Sequence, residues 1–306
     1  MPGLGEPTAE PAADARRAAL LEAALPVVFV LIWSTGFIVA KLGMPHAPPL
    51  TFLSWRFALS VLAFGLWVLL ARAAWPKGAT QWGHLAVTGV LMHAGYLGGL
   101  WAAVKDGMGA GTAALIVGVQ PVLTALWLSA RGRERRIGRA QWLGLVLGLA
   151  GLVLVVWEKL GIGEVRAANL TLAVMALACI TAATLYQKRW VIPGDVRSGN
   201  LVQLMAALAV CAPLSLLEQG SMQWHPELLA ALGWSVLVLT LGGSSLLLLL
   251  LQRGSATGVS SLMYLVPPCT ALIAWWLFGE ALTVLVWAGM ALAAAGVWLV
   301  VRQPRR

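Results

Sequence analysis

A histidine lies close to the middle of a long apolar stretch, in the segment LMHAGYLGGLW at residues 91–101. His93 and Tyr96 are three residues apart, so a helix would place them on one face, with Trp101 further along. An imidazole inside a membrane bonds to a neighbouring helix, lines a polar cavity or carries a proton. All three roles stay open at this point, and the last two would put the segment on a substrate path.

Other polar and aromatic groups interrupt the apolar stretches. Trp33, Ser34 and Phe37 lie deeper in the first stretch than the aromatic belt at a membrane surface would. Gln120 and Tyr264 each stand close to a proline inside a later stretch. Rings, hydroxyls, an amide and one imidazole suit a small zwitterion or a mildly amphipathic metabolite. The predicted substrate-binding residues are Trp33, Ser34, Phe37, His93, Tyr96, Trp101, Gln120 and Tyr264.

Charged groups inside the apolar stretches are few. Arg56 lies near the outer end of the second stretch, where it can snorkel, bond to backbone carbonyls or capture a substrate carboxylate. Of the 12 acidic residues, four belong to the first 24 residues and the other eight lie between the stretches or at their ends. Since an intramembrane carboxylate is the usual proton or sodium relay, this distribution favours facilitated diffusion over proton antiport.

The sequence offers no pattern for catalysis, a cofactor or a metal. The four histidines and three cysteines are scattered, which gives no metal-ligand set and no disulfide. No G-x-x-x-x-G-K-[ST] loop is present, so the chain is not itself an ATP-driven pump. GGSSL at 242–246 lacks the G-x-S-x-G pattern of a serine hydrolase. We therefore expect no catalytic residue, cofactor or metal, and an intramembrane enzyme is only a remote alternative.

Membrane helices are the elements that must position these residues. Hydrophobic residues make up 60% of the 306-residue chain and charged residues 11%, against about 45–50% and about 25% in soluble proteins. The apolar runs have the length of roughly 20 residues that a helix needs to cross a bilayer. The sequence predicts an all-α polytopic membrane protein with ten spans, at 25–43, 50–71, 83–104, 110–130, 140–157, 169–187, 199–217, 229–251, 256–278 and 283–301.

Lysine and arginine are distributed unevenly between the connecting segments. With the N-terminus in the cytoplasm, 16 of the 21 basic residues fall on the cytoplasmic side, four on the other side and Arg56 within a span. Cytoplasmic loops of membrane proteins carry such an excess. Both termini are therefore predicted to be cytoplasmic, and the net charge of +9 reflects topology rather than a nucleic-acid partner.

The segment QPVLTAL at 120–126 recurs as VPPCTAL at 266–272, an offset of 146 residues. Five spans per half make the halves inverted repeats, an architecture of secondary transporters. Pro121 and Pro267 are predicted to bend the middle of their helices and to act as hinges at a central cavity. The predicted organisation is a disordered cytoplasmic tail (1–24), a first repeat (25–157), a linker (158–168), a second repeat (169–301) and a basic cytoplasmic tail (302–306).

The segments LIWSTGFIVAK at 31–41 and PPLTFLSWRF at 48–57 resemble the EamA repeat of the drug/metabolite transporter superfamily. The proline-bearing fourth span, the turn at Glu280 and the Trp-x-Gly start of the tenth span extend the resemblance over roughly residues 26–301. The second copy departs from the pattern, with Gln203 at the Arg56 position and Ile180 at the Trp33 position. The two halves are therefore not equivalent.

This resemblance implies a ten-helix carrier of the bacterial inner membrane that works by alternating access. A bacterial amino-acid exporter is the kind of member that the chain looks most like, so export of neutral or aromatic amino acids is expected. A multidrug or nucleotide-sugar-type carrier of the same superfamily is the alternative. The expected partners are a small-molecule substrate and the lipid bilayer, without nucleic acid, and a monomer is compatible with this function.

Overall fold

The computed structural model describes residues 9–130, 138–161, 163–253, 259, 262 and 265–301. The regular elements within these ranges are helices. They are α1 (Ala9–Gly43), α2 (Pro49–Leu70), α3 (Ala79–Lys105), α4 (Ala110–Val117), α5 (Gln120–Ala130), α6 (Arg139–Gly161), α7 (Ala167–Trp190), α8 (Val196–Ser215), α9 (Pro226–Arg253), α10 (Val266–Phe278) and α11 (Val284–Val301).

Among the described residues, seven segments are long and apolar enough to cross a membrane. Five are the whole of α2, α3, α7, α8 and α9; the others are Ala24–Gly43 of α1 and Ala110–Leu128, which covers α4 and most of α5. Shorter apolar helical segments lie in α6, α10 and α11. The chain is an all-helical polytopic membrane protein. The count of ten spans and the side on which the termini lie stay predictions.

The N-terminal segment departs from the expected disordered tail, because α1 already begins at Ala9. Residues 9–24, AEPAADARRAALLEAA, are half alanine, the residue with the highest helix propensity, and also contain Leu, Glu and Arg. No break separates this segment from the apolar part of α1. The prediction of disorder is therefore wrong for residues 9–24, while residues 1–8 lie outside the described part of the chain.

Both repeat prolines begin a helix instead of bending one. Pro121 is the second residue of α5, which follows α4 after a turn at residues 118–119. Pro267 is the second residue of α10, which follows a 3₁₀ residue at Leu265. Proline has no N–H to donate, so the first turn of a helix tolerates it. The predicted mid-helix bends are therefore wrong in this respect. The breaks meet: a Cβ on Gly118 would lie 2.9 Å from Cγ of Pro267.

Helices α3 and α9 each contain a π-helical segment, Val90–Gly95 and Ser235–Ser244. The two segments start 145 residues apart, close to the offset of the sequence repeat. Around them, α3 packs on α7 and α8 of the second half, whereas α9 packs on α1 and α2 of the first. Wider turns of this kind shift the side chains that follow and are frequent at functional sites.

Glycines allow several of these helices to approach closely. A Cβ on Gly89 of α3 would lie 2.2 Å from the carbonyl oxygen of Gln203 in α8. A Cβ on Gly296 of α11 would lie 2.5 Å from the carbonyl oxygen of Gly144 in α6. Small residues at such crossings let the two backbones come into contact, as is common between membrane helices.

One end of the bundle, here named the Asp106 end, collects the connections at 44–48, 106–109, 163–166, 216–225 and 279–283. The first and fourth are joined by a backbone hydrogen bond of 2.8 Å from Gln223 N to His46 O. The second and third are joined by an ion pair of 2.8 Å between Arg166 and Asp106. These contacts fasten the connections to each other.

The opposite end, here named the Asp195 end, collects the connections at 71–78 and 191–195. Ser198 donates a hydrogen bond of 2.6 Å from Oγ to the carbonyl oxygen of Ala74. Gln252, near the end of α9, donates from Nε2 to the carbonyl oxygen of Gly194 at 3.1 Å. The described connections thus alternate between two ends along the chain, as repeated membrane crossings require. By the distribution of basic residues, the Asp195 end is predicted to be cytoplasmic.

Candidate functional site

A narrow cavity lies among α1, α2, α3 and α9, beside both π-helical segments. Its volume of about 30 Å³ holds about two water molecules. Five of the eight predicted binding residues meet here, three of them on α3 and two on α1. The lining residues are Trp33, Gly36, Phe37, Arg56, Met92, His93, Tyr96, Leu97, Leu100, Trp101, Leu239 and Ser244.

Aromatic rings form much of the cavity wall. Trp33 of α1 and Tyr96 of α3 lie with their rings parallel within 1° and their centroids 6.4 Å apart. Trp101 packs against Phe52 of α2 with a centroid distance of 4.7 Å. All four side chains are at most 9% exposed. The wall therefore offers ring faces from α1 and α3 to a molecule in the cavity, and Phe52 of α2 supports the Trp101 ring from behind.

Arg56 brings a positive charge into this apolar wall. Its side chain is only 4% exposed, which rules out the snorkelling alternative. Nε donates a hydrogen bond of 3.0 Å to Oγ1 of Thr240, and the guanidinium carbon lies 5.7 Å from the centroid of the Trp101 ring. Nη1 has no hydrogen-bond partner. No carboxylate of the described residues forms a salt bridge with Arg56.

The π-helical segment of α9 determines the partner of Arg56. Thr240 belongs to this segment, and its hydroxyl donates to the carbonyl oxygen of Ser235, five residues earlier, at 2.7 Å. Because the hydroxyl proton is used there, the oxygen lone pairs are available to accept from Arg56. Nε of the guanidinium therefore has a fixed partner, whereas Nη1 has no hydrogen-bond partner.

His93 lies in the π-helical segment of α3 and is 4% exposed. Its ring meets Phe57 edge-on, with a centroid distance of 6.0 Å, and Nε2 has no hydrogen-bond partner. None of the cavity-lining residues is acidic. An anionic group in the cavity would therefore meet one unpartnered cationic N–H and no opposing carboxylate.

Ser34 and Gln120 lie outside the cavity wall and join helices instead. Oγ of Ser34 lies 3.4 Å from the carbonyl oxygen of Val266 at the start of α10, and Thr270 Oγ1 donates back to the Ser34 carbonyl at 3.2 Å. Gln120 donates from Nε2 to Oγ1 of Thr184 at 2.9 Å, which joins α5 to α7. These bonds stand beside the two helix breaks, at Gln120 in the first half and at Val266 in the second.

Tyr264 and Arg56 differ from the other candidate residues. Tyr264 lies outside the described residues. Arg56 was not among the predicted binding residues, although a signal for it exists in the sequence. It is four residues from both Phe52 and Ser60, so all three share one face of α2, and this face is buried. A face with Phe52 and Leu53 on one side of the arginine and the small Ser60 on the other predicts burial of the arginine.

Comparison with known proteins gives two matches to the EamA-like transporter family, over residues 20–157 and 168–302. A protein of Salmonella typhimurium named probable amino-acid metabolite efflux pump is 27% identical, over 90% of this chain and 93% of the relative. The uncharacterized inner membrane transporter YedA of Escherichia coli K12 is 24% identical, over 88% of this chain and 87% of the relative.

A solved crystal structure shares the fold, with a TM-score of 0.71 and 19% identity over 92% of this chain and 98% of the other. The two family matches cover most of the chain, including all the cavity-lining helices. Together with the apolar helices, they identify a protein that works inside a bilayer. The chain belongs to the EamA-like transporter family and is a multi-pass membrane transporter.

Proposed function

We propose that this transporter exports neutral or aromatic amino acids, or similar carboxylate-bearing metabolites, through the cavity between its halves. The observation that carries the proposal is the buried guanidinium of Arg56 with its unpartnered Nη1. The name of the Salmonella typhimurium relative, a probable amino-acid metabolite efflux pump, supports the same class of substrate.

A carboxylate would complete the bonding of Arg56. An unmade hydrogen bond at a buried group costs about 1–3 kcal/mol, and more when the group is charged. Charge-assisted bonds from a guanidinium to a carboxylate are among the strongest in proteins. The substrate carboxylate is the anion that the protein itself does not supply among the described residues, so binding recovers the cost of burying the cation.

The rest of the cavity suits the other parts of an amino acid. The ring faces of Trp33 and Tyr96 can hold an ammonium group by cation–π attraction, without a fixed acid. Phe37 and Leu100 offer apolar contact to a neutral or aromatic side chain. A multivalent cation would instead require carboxylate ligands, which the cavity wall lacks.

Transport requires the cavity to change size, since room for about two water molecules is too little for leucine or phenylalanine. We place this change at the two helix breaks. Gly118 and Pro267 lie against each other where the first half meets the second. Helix α3 of the first half packs on the second half, and α9 of the second half packs on the first. Inverted halves that rock about a central site would open the cavity to one face at a time, with the two termini in the cytoplasm.

Flux assays in proteoliposomes test the role of the carboxylate. Labelled phenylalanine and leucine are compared with phenethylamine, which has the ring and the amine without the carboxylate. Arg56→Gln should lower amino-acid flux by roughly 10- to 150-fold, the equivalent of a charged hydrogen bond of about 1.5–3 kcal/mol. Arg56→Lys keeps the charge but not the planar fork, so it should retain part of the flux.

The matched control is Arg189→Gln, which removes the same charge from the exposed end of α7. This variant should transport at the wild-type rate. Absence of flux for every amino acid would contradict the proposed substrate class. Equal flux of phenethylamine and phenylalanine, or an unchanged rate in Arg56→Gln, would show that Arg56 does not bind the substrate carboxylate.

A further inference from the structure

Two histidines and a glutamate meet on the Asp106 end, and none of the three lines the cavity. Nε2 of His46 lies 3.0 Å from Oε2 of Glu227, and Nδ1 of His225 lies 3.8 Å from the same oxygen. The imidazole rings are stacked, with centroids 4.7 Å apart and planes within 8°. One nitrogen of each ring and one carboxylate oxygen therefore lie within 4.8 Å of one another.

Backbone contacts position this cluster before any ligand arrives. Gln223 N donates to the carbonyl oxygen of His46 at 2.8 Å, which fixes one connection against the other. Glu218 accepts from the backbone N–H groups of Leu50 and Thr51 at 2.8 and 2.7 Å. It thus binds the first turn of α2, whose own N-cap makes no side-chain bond. His225 is the N-cap residue of α9, and its Nδ1 accepts a long bond of 3.4 Å from the backbone N–H of Glu227, which a metal ion at Nδ1 would replace.

The donor set matches that of a borderline transition metal. Zn²⁺ takes imidazole nitrogen and carboxylate oxygen at about 2.0–2.2 Å, so donors around a tetrahedral ion lie about 3.3–3.5 Å apart. The distances of 3.0 and 3.8 Å bracket this value. Side-chain rotations can supply the remaining adjustment, since the His225 and Glu227 side chains are 52% and 57% exposed. Ca²⁺ and Mg²⁺ prefer all-oxygen sites.

We propose that His46, His225 and Glu227 form a surface site for Zn²⁺ or a similar transition-metal ion, with one coordination position open to solvent. His46 belongs to the connection between α1 and α2, whereas His225 and Glu227 belong to the connection between α8 and α9 and its end. A bound ion therefore fastens the first half of the chain to the second on this face. The site binds metal whether or not the cavity carries amino acids.

Isothermal titration of the tag-free, full-length protein in detergent with Zn²⁺ tests the site. The wild type should bind one ion per chain. His46→Ala, His225→Ala and Glu227→Gln should each weaken binding by about tenfold or more, since even outer-sphere partners of a metal contribute 10- to 100-fold. Thermal unfolding should shift upward with Zn²⁺ in the wild type and not in these variants.

His84→Ala is the matched control, because it removes a histidine that instead bonds to Tyr186. Its Zn²⁺ affinity should equal that of the wild type. Size-exclusion profiles in the absence of Zn²⁺ show which variants remain folded. The site is refuted if the wild type binds no Zn²⁺, if the three variants bind as tightly as the wild type, or if His84→Ala weakens binding to the same extent.

Discussion

Arg56 and His93 line the same cavity, and neither meets a carboxylate among the lining residues. A second positive charge close to a buried guanidinium is costly, because the low dielectric of the interior strengthens repulsion. A proton-carrying role for His93 would require that charge in every cycle. The surroundings of His93 therefore favour a neutral imidazole that contacts substrate, and transport without proton coupling.

Amino-acid flux should accordingly be insensitive to an imposed pH gradient in the wild type. His93→Gln should change the flux by the same factor with and without the gradient, because it alters a contact and not a proton relay. His84→Gln, at the Asp195 end, is the control. Acceleration by the gradient that disappears in a folded His93→Gln variant would instead identify His93 as the coupling residue.

At the scale of elements, packing of α6 on α11 depends on residues without side chains. A Cβ at position 296 would lie 2.5 Å from the carbonyl oxygen of Gly144 and 3.0 Å from the amide nitrogen of Gly148. These are backbone atoms, so they cannot rotate away, and the helices must separate instead. Gly65 in α2 differs, since a Cβ there would have no neighbour within 4 Å.

Gly296→Ala should therefore lower the unfolding free energy by about 1–3 kcal/mol, as overpacking does in well-packed cores. Gly65→Ala makes the same chemical change in an open helix position. It should leave stability unchanged or raise it by up to about 1 kcal/mol, because alanine is the better helix former. Thermal unfolding of both variants in detergent gives the comparison, and equal midpoints would refute the role of the α6–α11 contact.

At the scale of the whole molecule, an ion pair between Lys41 and Glu280 joins the two halves at the Asp106 end. Lys41 lies at the end of α1, and its ammonium also stands 4.8 Å from the ring centroid of Phe278. Glu280 follows Gly279, which ends α10 in a left-handed conformation with φ of 65°. The pair therefore bridges the first half of the chain and the second at this end.

Glu280→Lys should place two ammonium groups against each other and slow transport, because this face no longer closes. Lys41→Glu should do the same with two carboxylates. The double exchange restores opposite charges, so it should recover a large part of the wild-type flux. Initial rates in proteoliposomes provide the measurement. A double variant that is no faster than the single ones would show that the pair does not act across this face.

Seven of the ten predicted spans coincide with described helical segments that are long and apolar enough to cross a membrane, because long apolar runs are a strong signal. Five of the predicted binding residues converge on one cavity, since the spacing of His93 and Tyr96 places them on one helix face. The place of Arg56 near a span end does not predict its depth, whereas the face of α2 that it shares with Phe52 does. His46 and Glu227 are 181 residues apart, so only tertiary packing reveals their contact.

The contact between Gly118 and Pro267 makes each half of the chain sensitive to changes in the other. A side chain at 118 would collide with the ring at 267, since a Cβ there falls 2.9 Å from Cγ. Bulk added at 118 would need a smaller residue at 267 or a separation of the two helix starts. A substitution at either position is therefore constrained by the other half of the chain.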